Sequence, residues 1–472
     1  MSSFFLLSFR SNVSLLEESA KEVFVSSPLV TLKFFNLTPG LLTAIKTLAA
    51  NGATEEDFSD IVRKIDGDFA LPKFYNYLKK FNDWSMISHT LLEERNPIAT
   101  IVPISRYYQF HLKEVKPEQK YVLSRFAYCR KYQEQLVLES PLSYAQIVLK
   151  YWSTTTIINE LVKPQNYLEL EQKISGISED TIKLFLGLLI STEFISEADE
   201  DGKIHEEDNV TLLQWSFHDL LFHARSRLGR HINYYRKSTP LLSEAKPHSV
   251  VKPKMSNDTI DLYKPDIEKL KETDFPFTLV QEKRKSIRSY AAKPITDKQL
   301  SEFLYRCARV KNIIQTDYGE ISSRPYPNAA ADYELELYIT INNCENILPG
   351  LYHYCPREHQ LCKLSDNNNY VEALLQKASE AVRQSKESLQ VLITIAARFP
   401  KRSWQYEANA YALTLKHVGI LTQTMYLVAT AMDLAPCAIA YGDADLFAAA
   451  VGTDYYAETS VGEFILGSKQ SD

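Results

Sequence analysis

The segment RKSIRSY at 284–290 gathers Arg284, Lys285, Ser286 and Arg288 into one short stretch. Three cations this close can surround a phosphate with charge-assisted hydrogen bonds, while the serine hydroxyl binds a neighbouring polyol. A solvated basic face would use the same residues, so spacing alone leaves both readings open. A second cluster, WSFHDLLFHARSRLGRH at 215–231, carries His218 and His223. Histidines share a metal from one helix face at i,i+4, whereas these stand five apart with no clear third ligand, so no metal is expected. The six cysteines (Cys129, Cys307, Cys344, Cys355, Cys362, Cys437) contain no CxxC pair, which leaves no readable zinc site or disulfide framework and points to reduced thiols. No glycine-rich dinucleotide fingerprint occurs, which disfavours a Rossmann unit for NAD.

Positioning these residues takes more than one core. At 472 residues and 45 % hydrophobic content the chain should divide into about two to four domains. With 53 basic against 59 acidic residues and a net charge of -6, no general attraction to nucleic acid is implied. No run approaches ~20 uninterrupted apolar residues, and MSSFFLLSFRSN has neither the basic start nor the cleavage site of an export signal. A cytoplasmic protein with no membrane partner is expected.

The first half opens with strand-like alternation in FFLLSF and EVFVSSPLVTLKFF. Pro39 and Gly40 then open the helix LLTAIKTLAANG, Thr54 ahead of Glu55 and Glu56 opens another, and Ser178 caps EDTIKLFLGLLIS. EVFVSSPL at 22–29 is echoed by QLVLESPL at 135–142, and WSMIS at 84–88 by EFIS at 193–196. The two echoes come in the same order at nearly the same offset, which suggests a duplicated module of roughly a hundred residues. Strands, then helices, then a strand pair suit a winged-helix unit, giving modules at 1–105 and 106–233, the second ending in a bridging helix. A single irregular α+β domain is the alternative. Residues 234–274, rich in Pro, Lys and Ser, read as an extended linker, free or wrapped over the next domain. From 275 to 472 helices and strands alternate: Thr296 caps DKQLSEFLYRCARV, YELELYITIN and LQVLITIAARF are strands, YALTLKHVGILTQTMYLVATAMDL is a long helix, and SVGEFILG closes the domain. The fold class is α+β.

RKSIRSY followed by PITDKQLSEFLYRCARV resembles the opening of nitroreductase-fold flavoenzymes. RPYPNAAADYELELYI at 324–339 and ILPGLYHYCPREHQL at 347–361 resemble the SagB-type dehydrogenase branch of that superfamily, and TQTMYLVATAMDLAPCAIAYGDADLFAAAVG at 422–452 continues the match. The resemblance implies FMN as cofactor. It assigns Arg284, Lys285, Ser286 and Arg288 to the phosphate and ribityl chain, and Pro327, Asn328, Ala329 and Ala330 to a turn whose amides approach the flavin edge. It places Gln423 on the following helix, amides at Ala440 and Tyr441 near the hydride-accepting ring nitrogen, and Lys469 near the phosphate. Asn328 stands where Ser is usual, Ala330 where Gly is usual, and Ala440-Tyr441 where Gly-Gly is usual, so backbone roles alone carry over there.

Within the branch, the cyanobactin azoline oxidases are the nearest resemblance. They convert thiazolines or oxazolines of a ribosomal precursor peptide to thiazoles or oxazoles, which requires a hydride acceptor and a base. The Lys-Tyr pair of the azole-forming branch falls on Gln405 and Tyr406. Tyr406 is thus the candidate proton handler, or a packing residue against flavin or substrate. A tyrosine with its usual pKa of ~10 is a poor base unless a cation lowers it, a part open to Lys401, Arg402 or Lys416. The resemblance also implies a homodimer, molecular oxygen as electron acceptor, and winged-helix modules acting as recognition elements for the precursor's leader. Glu17, Glu18, Glu22, Glu55, Glu56, Asp57 and Asp60 make those modules acidic, which favours peptide over DNA. Two rival functions are an NAD(P)H-dependent reductase of nitro compounds or quinones and a non-catalytic scaffold that binds leader.

Overall fold

Residues 4–19, 22–231, 249–316, 319–404 and 406–470 are described by a computed structural model, in which the chain forms two units, 1–234 and 235–472. Each unit is built from antiparallel sheets with helices packed against them.

The duplication is visible in the element order of the first unit. Copy one runs β1 (Phe5–Phe9), β2 (Ser14–Ser19), β3 (Glu22–Ser26), β4 (Thr31–Phe35), α1 (Pro39–Ala49), β5 (Ala53–Thr54), α2 (Glu55–Asp66), α3 (Leu71–Asp83) and β6 (Ile87–Glu93), followed by β7 (Asn96–Pro103). Copy two runs β8 (Tyr121–Leu123), β9 (Tyr128–Tyr132), β10 (Gln135–Glu139), β11 (Ala145–Leu149), α4 (Trp152–Glu160), α5 (Tyr167–Lys173), α6 (Glu179–Ser191) and β12 (Ile195–Glu197). In each copy the first strand pairs with the last, β1 with β6 and β8 with β12. In each the three strands between form a meander, ordered β2-β3-β4 and β9-β10-β11. Local chemistry sets the helix starts as the sequence indicates: Thr54 and Asp57 form a capping box for α2, and Ser178 caps α6. Each such cap stabilises its helix by about 1 kcal/mol.

The copies differ at one edge. β11 continues past its meander to pair with β7, Ala145 opposite Pro103 through Leu149 opposite Ala99, so that copy two's meander joins a seven-stranded sheet ordered β5-β1-β6-β7-β11-β10-β9. The expected boundary at 105/106 therefore crosses a shared sheet, and 1–234 is one unit. β4, the counterpart of β11, has no outer partner among the described residues, and Thr31, Lys33 and Phe35 along it are exposed.

In the second unit β13 (Thr259–Asp261) sits at one edge of a seven-stranded sheet. β14 (Asn312–Thr316) and β15 (Gly319–Ser323) form a separate hairpin. β16 (Leu335–Ile341), β17 (Gly350–Cys355), β18 (Gln360–Asp366), β19 (Val391–Arg398), β20 (Leu434–Ile439) and β21 (Glu458–Ser468) complete the sheet in the order β13-β18-β17-β16-β19-β21-β20. Every residue of β16 is buried, because both sheet faces are covered. Leu335, Leu337 and Ile339 pack with Phe303 of helix Asp297–Ala308 and Met425 of helix Ala410–Ala431. On the opposite face Tyr338 packs with Leu374 of helix Asn369–Val382 and Phe447 of helix Ala444–Val451.

One expectation is decided between its alternatives and another is corrected. Residues 249–274 of the expected linker do not float free but lie over the next domain: β13 pairs with β18, and the Lys252 ammonium reaches the Tyr338 hydroxyl at 2.7 Å and Glu458 at 2.6 Å. Residues 234–248 lie outside the described residues. Nor are all thiols reduced, since Cys355 and Cys362 form a disulfide between the paired strands β17 and β18. The pairing depends on strand register, which the spacing of two cysteines does not reveal.

Candidate functional site

The RKSIRSY segment leaves helix Phe277–Lys283 extended and runs beside β20, the Ile287 N–H donating to the Pro436 carbonyl at 2.8 Å. Tyr426, on helix Ala410–Ala431, ties two expected elements together. Its hydroxyl lies 2.8 Å from Ser286 Oγ and accepts the Ala438 N–H at 2.8 Å. The Arg284 guanidinium lies 5.5 Å from the centre of the Tyr426 ring. Arg284, Lys285 and Arg288 make no ion pair among the described residues; Arg284 lies against the Tyr426 ring, and Lys285 and Arg288 are exposed on the same short segment. Such a donor set fits the phosphate of FMN. Beyond β20, Ala440 and Tyr441 lie in an exposed loop, with the Tyr441 residue 72 % exposed, and Gln423 is exposed on the long helix. Lys469 is instead paired with Asp433 at 2.7 Å.

The turn at 327–334 departs further from expectation. Ala330, Ala331 and Tyr333 have φ of 58°, 52° and 46°, a left-handed conformation that side chains disfavour. The side chain of Asn328 holds it in place: Oδ1 accepts the Tyr333 N–H at 3.1 Å and an Arg402 N–H at 2.7 Å, and Nδ2 donates to Glu334 at 2.8 Å. The Ala329 N–H donates to His417 Nε2 at 3.0 Å, and the Ala329 carbonyl accepts from Arg402 at 3.0 Å. Asn328 and the Ala329 amide, expected at the flavin edge, are therefore satisfied within the protein, while Pro327 and Ala330 are exposed.

Beneath the turn lies a network that the sequence reading missed. Glu334 is wholly buried and binds His417 Nδ1 at 2.6 Å and Arg402 at 3.1 Å. Burial alone would push its carboxyl up; the His417 hydrogen bond and the Arg402 charge outweigh that and hold it down at about 2. Accepting at Nε2 while donating at Nδ1, His417 is a neutral tautomer in this arrangement. A charged residue at the head of a buried strand and a histidine on the inner face of an apolar helix were the available signals.

Gln405 lies outside the described residues. Tyr406 donates its N–H to the Arg402 carbonyl at 3.1 Å, and the Arg402 guanidinium lies 5.4 Å from its ring centre. Of the three cations named for its support, Arg402 is the one in contact. Lys401 turns to the carbonyls of Val250 and Ser249 at 3.0 and 3.3 Å, and Lys416 is exposed. Burial, aided by Arg398, lowers the Lys401 ammonium to about 7.

Three family matches follow one another along the chain. Residues 1–112 match the ThcOx helix turn helix domain, 121–232 match Cyanobactin oxidase ThcOx, and 282–467 match the Nitroreductase family. A Methanocaldococcus jannaschii protein named as a nitroreductase is 28 % identical over 181 residues, covering 38 % of this chain and 82 % of that protein. Among solved structures, one from Ralstonia eutropha named as a nitroreductase shares 18 % identity over 47 % of this chain and 94 % of its own, with a TM-score of 0.37. The Escherichia coli microcin synthetase McbBCD, bound to truncated pro-MccB17, shares 16 % over 50 % and 84 %, with a TM-score of 0.35. No helix among the described residues is long and apolar enough to cross a membrane.

Proposed function

We propose that this chain, which unites two cyanobactin oxidase regions with a nitroreductase-family domain, is an FMN-dependent oxidase converting thiazolines or oxazolines of a precursor peptide to thiazoles or oxazoles. The succession of those three matches in one chain is the observation that carries the reading. FMN, when bound, supplies the two-electron acceptor, and molecular oxygen is the terminal one. Arg284, Lys285 and Arg288 hold its phosphate, and Ser286, positioned by Tyr426, binds its ribityl chain. Tyr406 Oη takes the ring proton. Arg402, against the Tyr406 ring, stands in for the lysine of the azole-forming branch. Pro327 and Ala330 offer the exposed side of the turn to the cofactor.

The leader is assigned to copy one of the first unit. Its β4 edge is open, whereas the same edge in copy two is closed by β7, itself an extended antiparallel strand. Two copies of the chain complete the flavin sites.

The test is to purify the protein, record its flavin spectrum, and incubate it in air with a thiazoline-containing peptide. A yellow protein that removes two hydrogens per ring supports the oxidase. A yellow protein that leaves the ring unchanged and consumes NADPH supports the reductase suggested by the archaeal relative, and a colourless one the scaffold.

A further inference from the structure

A cavity of about 560 Å³ opens in the first unit on the face of β1 and β6, bounded by α3 and by the segment 109–112. Phe5 and Leu7 floor it, with Leu78, Phe110 and Leu112 around them. The volume falls in the range of small-ligand sites. One polar side chain stands within this apolar lining. His89 is 4 % exposed, its ring stacks on Phe110 at 3.8 Å with the planes 6° apart, and its buried Nδ1 makes no hydrogen bond among the described residues. A buried polar group left without a partner is costly to the fold, which marks such positions as sites for something absent.

The rim has a different character. Asn82 and Gln109 line it with side-chain amides that make no hydrogen bond among the described residues, each able to pair with a peptide N–H and C=O. Lys79 stands among Glu55 and Asp83, so charge of neither sign dominates the entrance. A strongly anionic ligand such as a phosphate is thereby disfavoured. An apolar chamber with one polar contact inside and amides at its mouth suits a ring on a peptide backbone.

We propose that this cavity binds one uncharged, ring-bearing side chain of a peptide, an in-plane polar atom of the ring meeting the His89 imidazole and the flanking backbone meeting Asn82 and Gln109. The choice of a peptide as carrier rests on the proposed function; the ring-sized apolar site with an unpartnered imidazole nitrogen does not. The site is separate from the β4 edge, which belongs to another sheet.

The experiment uses the full chain with isotope-labelled histidine imidazoles, His89→Phe identifying the His89 resonance. The probe is the capped peptide Ac-Ala-Ala-Tyr-Ala-Ala-NH2, with its Tyr→Ala counterpart as control. The tyrosine probe should move the His89 resonance saturably, and the alanine control should bind at least about 5-fold more weakly, as expected for loss of a hydrogen bond and ring burial. Leu78→Trp, which fills the cavity, should weaken the tyrosine probe by at least the same factor; should that variant fail to fold, Leu112→Phe serves the same purpose. An unmoved His89 resonance, or undiminished binding in the filled variant, overturns the site. Because the readout does not involve the flavin, a shift without azoline oxidation leaves the cavity standing and removes the proposed reaction. Azoline oxidation without a shift does the reverse.

Discussion

Glu334 Oε1 and His417 Nδ1 lie 2.6 Å apart, joining the head of β16 to the long helix although the residues are 83 positions apart in the chain. The same carboxylate binds Arg402, whose guanidinium also touches the turn above it. Removing one member leaves a buried charge without its partner. Glu334→Ala should destabilise the second unit by roughly 3–5 kcal/mol and Glu334→Gln by less, read by urea unfolding. A Glu334→Gln loss of only a few tenths of a kcal/mol would deny the ion pair its part.

Acid should expose the same network. Glu334 and Glu336 both titrate at about 2 in the folded chain, against an ordinary value near 4.5. For Glu336 burial opposes the shift, and the charges of Arg398 and His353 with the His353 hydrogen bond overcome it. Depressed carboxyl groups contribute stability that is fully present above their unfolded pKa and is lost as pH falls toward their folded one. Unfolding followed from pH 6 downward should therefore steepen below about 4.5, and Glu336→Gln should flatten that slope.

Lys401 adds a slope of the same sign in a higher pH window. Its folded pKa of about 7 lies below the ordinary 10.5, so between those values the unfolded chain binds more protons and stability should rise with pH. Urea midpoints at pH 7 and pH 9 measure this, and Lys401→Met should remove that contribution.

Flavin affinity should depend on Lys285 and Arg288 and little on Lys469, which already pairs with Asp433. Lys285→Ala or Arg288→Ala should each weaken FMN about 10-fold or more, the scale of a charge-assisted hydrogen bond, whereas Lys469→Ala should change it little. Flavin fluorescence titration distinguishes them. Tyr406→Phe should leave that affinity intact and lower turnover by about 10²- to 10⁴-fold.

Leader peptide should slow amide exchange at 31–35 and leave 145–149 unchanged, because the β11 amides already lie within the larger sheet. Equal protection of both segments would contradict the assignment to copy one.

Much of this molecule could be read locally. Thr54, Ser178 and Thr296 cap the helices that they precede in sequence, and the repeated Ser-Pro-Leu follows corresponding strands β3 and β10. RKSIRSY was recognisable because its residues are contiguous. What escaped depends on contacts between distant segments. The β7–β11 pairing, the disulfide from Cys355 to Cys362 and the Glu334–His417 bond each require a register or packing that residue types alone do not specify. Asn328 illustrates the intermediate case: the turn was located correctly, but an asparagine carries an amide able to bond inward at both ends, and it does so.

The unequal edges of the two meanders also bear on engineering. Copy two's edge is consumed in joining the halves, so substitutions there would disturb assembly of the unit. Copy one's edge is free of that duty. On the proposed function, retargeting the chain to a foreign precursor would come down to rewriting the short β4 stretch Thr31–Phe35, leaving the second unit untouched.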